Sequence, residues 1–371
     1  MKILYSCLSK SWGGMEMFTL TAVKQLHERN INVELLCIAE SRIHMEANNI
    51  GVIIHPLKSS GYLNPFSVLK LALIIQKRKF DLIHTHASKD LWMLVPALKI
   101  IKNSIPLILT KHVGSYIVKK DKLHKWLYNR VTFALAISNV IKKNLIATCH
   151  LPEDKILLLH DGVDIGKFNP SKINRETVRK EFSITGKELL IGMLARFSPG
   201  KGHEEFLSTA KSLNKLYDNL KFMIVGEASR GESKYAESIK SIASEYGLNN
   251  IIFTGFRSDI PEVLAAMDIF VFPSHAEAFG IALVEAMAMG KPSVCAKADG
   301  VLDIALEDIT SYFFKKQNVA DLTHKLKLLI ESSLQREKFG NAAGRRAAQF
   351  FDINVLTGKV IEIYETALKR N

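Results

Sequence analysis

Short apolar runs alternate along the chain with longer segments whose apolar residues recur every three or four positions. In the first half the runs cover residues 3–6, 33–38, 52–55, 82–84, 107–110, 135–137 and 156–159. In the second they cover 190–194, 222–225, 251–254, 269–272 and 293–296. They are continuously apolar rather than alternating, as strands covered on both faces are. Residues 16–28 and 206–216 carry helical spacing between them. Strand–helix alternation of this kind predicts an α/β protein with doubly wound parallel sheets.

The pattern lapses around residues 163–173, where Asp161-Gly162-Val163-Asp164 leads into Gly166, Asn169 and Pro170. Turn residues of this density mark a connection between domains. A charged helical stretch at 175–182 follows, and a new strand opens at Leu189. Two Rossmann-like domains are expected, residues 1–165 and 166–353. Their ligands would collect at the carboxyl ends of the strands, in a cleft that the two domains face.

Composition agrees with two cores: 371 residues at 47% hydrophobic content suffice for two domains of ordinary size. The four cysteines, Cys7, Cys37, Cys149 and Cys295, are far apart, and three sit in strand-like runs. That suits buried thiols in a reducing, cytoplasmic compartment better than a disulfide or metal framework. The first residues are too short an apolar run for a signal peptide, and no run reaches the ~18 uncharged residues of a membrane span. The net charge of +13 points to a partner that carries phosphate: nucleic acid, anionic lipid or a phosphorylated substrate.

Chemistry concentrates in three places. Residues 273–292 read as strand end, loop, helix and stop, with Glu277 in the loop and Glu285 a turn into an apolar helix. Glu285 either meets ribose hydroxyls, emerges on a wet face or pairs with a lysine. Glu277 is either a ligand group or a surface charge favoured by the helix dipole. The backbone amides near Phe279, Gly280 and Ile281 form a candidate anion site, and Gly280 permits close approach. Residues 192–203 place Arg196 and Lys201 in a turn after a strand, a basic pair that is either simply solvated or suited to a departing diphosphate. Near the start, Gly13-Gly14-Met15-Glu16 opens the first helix, where Gly14 permits phosphate or sugar to approach. Neither G-x-G-x-x-G nor a Walker lysine is present. His84 and His86 read as structural, whereas His112 stands at the carboxyl end of a strand and is the histidine expected in the site.

Gly13-Gly14-Met15-Glu16, Lys111-His112, Asp161-Gly162-Val163-Asp164, Arg196 with Lys201, and the E-x7-E pair Glu277/Glu285 occur here in one order. Across almost the whole chain this order resembles the family-4 retaining glycosyltransferases of the two-domain GT-B fold. The resemblance implies that Arg196 and Lys201 clamp the donor diphosphate, Glu285 holds the ribose and Glu277 the transferred sugar, supported by the amides of residues 279–281. It implies that His112 touches the sugar, that Gly14 borders phosphate and acceptor, and that Phe256 and Arg257 lie near the base. It implies that the C-terminal helix, within 354–371, packs back on the first domain. The reaction implied is transfer of a hexose-type sugar from a nucleotide-diphosphate donor to a glycan or lipid-linked acceptor. Cell-envelope polysaccharide or lipopolysaccharide synthesis is the expected setting. Retention would proceed by same-face substitution, without metal, since no D-x-D occurs. The family's Gly-Gly-x-Pro-Glu is here Asp299-Gly300-Val301-Leu302-Asp303. That departure keeps open a non-catalytic carbohydrate- or membrane-binding relic; a nucleotide-sugar epimerase is the other alternative.

Residues 111–143 hold Lys111, Lys119, Lys120, Lys122, Lys125, Arg130, Lys142 and Lys143 against one acid, Asp121, with Trp126, Tyr128 and Phe133 interleaved. A helix over 119–131 is predicted. It either adsorbs on anionic headgroups, giving a peripheral place on the inner face of a membrane, or is a solvated face with Trp126 in the core. No nucleic-acid signature accompanies the charge.

Overall fold

The computed structural model describes residues 1–58, 64–228 and 231–370. They form two units, residues 1–161 with 353–370, and residues 162–352. The first unit therefore ends at Asp161 rather than at 165. Val163 donates its amide to Phe351 O at 2.9 Å and pairs with Asp352, which draws this stretch into the second unit.

The first unit has strands β1 (Lys2–Cys7), β2 (Asn32–Ile38), β3 (Ile53–Leu57), β4 (Leu82–Thr85), β5 (Leu107–Lys111), β6 (Phe133–Ala136) and β7 (Ile156–Leu158). They form a parallel sheet in the order β3-β2-β1-β4-β5-β6-β7. Its helices are α1 (Gly14–Glu28), α2 (Arg42–Ala47), α3 (Pro65–Arg78), α4 (Leu91–Ile100), α5 (Lys122–Asn129) and α6 (Asn139–Thr148). Right-handed crossovers put α1 and α2 on one face and α3, α4 and α5 on the other. Ile3, Leu35, Leu82 and Ile108 are fully buried between the layers.

The helix predicted over 119–131 is the shorter α5. The carboxylate of Asp121 accepts the amides of Leu123 and His124 and so starts the helix at Lys122. The amide of Lys119 is taken by Thr148 O. Leu127 and Tyr128 form the buried face, and Trp126 is 40% exposed rather than in the core.

The second unit has α7 (Glu176–Glu181), β8 (Leu189–Leu194), α8 (His203–Leu213), β9 (Leu220–Val225), α9 (Ser233–Glu245), β10 (Ile251–Gly255), α10 (Ile260–Ala266), β11 (Ile269–Phe272), α11 (Ile281–Ala288) and β12 (Ser293–Ala296). It continues through α12 (Val301–Ile304), β13 (Ser311–Phe314), α13 (Val319–Ile330) and α14 (Ser333–Phe350). The strands are parallel in the order β10-β9-β8-β11-β12-β13. Sequence reading misses β13, whose Ser-Tyr-Phe-Phe is short and opens on a hydroxyl. That hydroxyl is satisfied across the sheet, Ser311 Oγ lying 2.6 Å from Ser293 Oγ.

The last helix, α15 (Ile353–Lys369), belongs to the first unit and packs on α1. Its Tyr364 hydroxyl is 3.0 Å from that of Tyr5 and 2.6 Å from His84 Nδ1. Asn371 lies outside the described residues.

Candidate active site

In the second sheet the chain runs outward from β8 through β9 to β10, then returns to β11 and runs the other way to β13. β8 and β11 are neighbours, so the loops that leave their carboxyl ends diverge and open a crevice. The β8 loop carries Arg196 and Lys201; the β11 loop carries Glu277 and leads into α11. His275 donates its amide to Gly200 O at 2.8 Å, joining the loops. Gly202 has φ +80°, and a Cβ there would stand 2.5 Å from the carbonyl oxygen of Pro273. Only glycine meets both demands. A second tie joins the His275 ring to Glu205 in the first turn of α8, Nε2 to Oε1 at 2.7 Å.

Across this junction Lys201 Nζ donates to Glu277 Oε1 at 2.5 Å, with both side chains partly exposed. Arg196 is exposed on the same loop as Lys201. Gly280, at φ +117°, caps α11 with no side-chain hydrogen bond. Gly280 has no side chain with which to cap the helix, which begins at Ile281. Phe279 is buried edge-on against Phe351, which anchors the loop.

Glu285 follows about a turn into α11, between buried Val284 and Ala286. Burial raises its carboxyl to about 7, opposed by the charge of Lys167. The β12 loop is tied to the same place, since Gly300 donates its amide to Glu277 O at 3.1 Å. A Cβ on Gly300 would stand 2.6 Å from Ala278 O, so the glycine retained in this altered loop is the one that packing requires. Asp299 takes φ +45°, a conformation that aspartate tolerates better than most residues.

Phe256 and Arg257 follow β10, two strands from β8. Phe256 is exposed. The Arg257 guanidinium is held by Glu181 at 2.6 and 2.9 Å and by Asp259 at 2.8 and 2.6 Å. Its side chain therefore fastens α7 to the loop.

In the first unit Gly14 opens α1, and nothing lies within 4 Å of where a Cβ on it would stand. His112 is buried, and both ring nitrogens are engaged: Nδ1 with Asp161 Oδ2 at 3.3 Å, Nε2 with His86 Nδ1 at 2.8 Å. His86 Nε2 is buried without a hydrogen-bond partner. Sequence reading missed this Asp161–His112–His86 chain. The signal that could have found it was strand alternation, which puts His84 and His86 on one side. It also missed Asp90, whose carboxylate accepts from Ser6 Oγ, Leu8 N and Thr85 Oγ1 at the carboxyl ends of β1 and β4. Burial raises Asp90 to about 6. Among the described residues no group of three His, Cys, Asp or Glu side chains is arranged to hold a metal ion.

Two family models match the chain, glycosyltransferase family 4 over residues 12–167 and glycosyl transferases group 1 over residues 174–346. The chain belongs to the family-4 glycosyltransferases of the GT-B fold. This glycosyltransferase is 27% identical to an N,N'-diacetylbacillosaminyl-diphospho-undecaprenol alpha-1,3-N-acetylgalactosaminyltransferase of Campylobacter jejuni, over 98% of each chain. It is 22% identical to the capsular polysaccharide biosynthesis glycosyltransferase CapM of Staphylococcus aureus, over 94% of this chain and 93% of CapM. A crystallised glycosyltransferase of Rickettsia africae ESF-5 superposes with TM-score 0.91 at 23% identity, over 100% of this chain and 99% of that one. Anabaena HepE, crystallised with UDP and glucose, superposes with TM-score 0.81 at 23% identity, over 98% and 99%.

Proposed function

We propose that this glycosyltransferase moves a hexose-type sugar, with retention and without metal, from a nucleotide-diphosphate donor to a glycan or lipid-linked acceptor of the cell envelope. The Lys201–Glu277 contact at the β8/β11 switch point carries the reading. In this reading it would offer a cation to the diphosphate beside a carboxylate for sugar hydroxyls, near the start of α11. Arg196 is the second diphosphate cation, Glu285 the ribose acceptor, and the amides of residues 279–281 support the sugar. Phe256 is assigned to the base, and Arg257 to the same loop through its backbone. His112 and Gly14 are assigned to the sugar and the phosphate–acceptor end. With its ring nitrogens engaged, His112 would offer the sugar its main chain or ring edge.

In the reaction the bond from the anomeric carbon to the β-phosphate oxygen breaks, leaving its electron pair on the diphosphate. The acceptor oxygen bonds to that carbon from the same face, and its proton passes to the departing phosphate. Lys201 and Arg196 stabilise the charge that grows on the leaving group, the kind of interaction that lowers a barrier.

The Campylobacter relative's diphospho-undecaprenol substrate favours a lipid-linked acceptor, and the UDP held by Anabaena HepE makes UDP the first nucleotide to try. An acceptor of that kind would give the protein a peripheral place on a membrane; no described helix is long and apolar enough to cross one. Thermal shift with UDP and GDP, then turnover with UDP-sugars in chelator, tests the proposal. Stabilisation by one nucleotide, turnover that survives chelation and an α-linked product from an α-linked donor are expected. Loss of turnover in chelator, or an inverted product, would reject metal independence or retention respectively.

A further inference from the structure

His275 ties down both ends of the short segment that carries Lys201. Its amide donates to Gly200 O at 2.8 Å, one residue before Lys201, and its ring Nε2 meets Glu205 Oε1 at 2.7 Å, four residues after it. His275 itself stands two residues before Glu277, on the loop that leaves β11. The two residues whose contact carries the donor reading are therefore held by one clamp. Gly200 takes φ +83°, and a Cβ on it would stand 4.0 Å from His275 Nδ1, so the ring lies against the backbone of the Lys201 turn.

A third loop reaches the same ring. Gln317, which follows β13, brings its amide nitrogen to 3.4 Å from Nδ1. It does so from φ +62°, a conformation that a residue with a Cβ keeps only where its surroundings hold it. An amide nitrogen can only donate, so Nδ1 accepts and the ring proton stays on Nε2, which gives it to Glu205. Carboxylate and amide together fix the tautomer and the orientation of the ring.

Glu205 is the costly member of the group. It is buried in the first turn of α8, and its Oε2 has no hydrogen-bond partner among the described residues. The helix dipole favours a carboxylate there, but a buried acceptor left unused costs stability. Apolar packing would hold the junction at less cost; what a carboxylate adds is one strong bond in a defined direction.

We infer that Glu205 and His275 are positioning residues for the transfer reaction. Glu205 orients the His275 ring, and the ring holds the Lys201 turn where its ammonium reaches Glu277 and, in the donor complex, the diphosphate. The inference rests on the donor site proposed above and names the side chains that keep its cation in place. Both act through Lys201.

UDP titrations followed by calorimetry, with melting curves, test it on the whole chain. Glu205→Ala should weaken UDP binding ~10-fold, the scale of one hydrogen bond to a charged group. His275→Ala, which keeps the backbone tie, should match it. Glu205→Gln restores an acceptor for Nε2 and should recover most of the affinity. In a Lys201→Ala background Glu205→Ala should cost nothing further, since the cation it positions is gone. A merely structural brace would lower the affinity by the same factor in both backgrounds. A crystal structure of Glu205→Ala without nucleotide should show Lys201 parted from Glu277 and the pairing of β8 with β11 intact. Equal losses in both backgrounds, no rescue by glutamine, or an unmoved Lys201–Glu277 contact in that crystal structure would overturn the inference. If the wild type does not bind UDP, the donor reading falls, and the crystal structure alone decides whether Glu205 and His275 place Lys201.

Discussion

Lys201 donates to Glu277 across two loops that leave neighbouring strands of one sheet. The two charges neutralise each other in this contact; in the proposed donor complex the ammonium would turn to phosphate and the carboxylate to sugar hydroxyls. Lys201→Ala should cost ~100-fold or more in turnover, the scale for losing one charge-stabilising group, while the fold survives. Steady-state kinetics with a circular dichroism spectrum checks this. Turnover near wild type would remove Lys201 from the mechanism.

The parallel sheets were legible because buried strands read as unbroken Val, Ile and Leu. β13 was not, since its short aromatic run opens on Ser311, whose hydroxyl is satisfied by Ser293 on the neighbouring strand. Lys201 and Glu277, singled out in the sequence 76 residues apart, do meet, because the loops that carry them leave neighbouring strands. The commitment of Arg257 to Glu181 could not be picked out, because the partner lies in a remote segment. The same holds for Asp161, which local pattern marks only as a turn residue although its carboxylate meets the His112 ring.

Glu285 makes a prediction about pH. Its carboxyl is raised from 4.5 to about 7 by burial. Between those values the folded chain keeps a proton that the unfolded chain releases. The contribution to stability is fully present below 4.5, declines as pH rises to about 7, and stays at the lower level above. Glu285→Gln should therefore raise the Tm of the unliganded protein at pH ~8 and leave it little changed at pH ~4. The same substitution should weaken UDP binding and abolish its rise with pH through the carboxyl's titration. Melting and titration calorimetry at several pH values would show both effects, and an unchanged Tm at the alkaline end would contradict the buried, raised carboxyl.

Three glycines separate packing from ligand approach. A Cβ on Gly202 would stand 2.5 Å from Pro273 O, and one on Gly300 2.6 Å from Ala278 O, whereas Gly14 has open space. Gly202→Ala and Gly300→Ala should each lower stability by ~1–3 kcal/mol and disturb nucleotide binding. Gly14→Ala should melt like the wild type, so that any fall in its turnover reports on the ligand. Equal Tm values for all three variants would refute the close contacts.

Tyr364 on α15 is fully buried, its hydroxyl shared between Tyr5 and His84, and His84 Nε2 meets Thr110 Oγ1 at 2.7 Å. Burial drives His84 down to about 3, so a neutral ring must find both a donor and an acceptor in this network. Tyr364→Phe removes one hydroxyl and leaves two buried polar groups without it, which should cost ~1–3 kcal/mol. Tyr5→Phe removes a hydroxyl at the end of the chain of bonds and leaves the Tyr364–His84 contact, so its cost should be smaller. Urea unfolding of both variants, followed by fluorescence, measures the difference. If Tyr5→Phe proved the more destabilising, the His84 contact would not be what fastens α15 to the sheet.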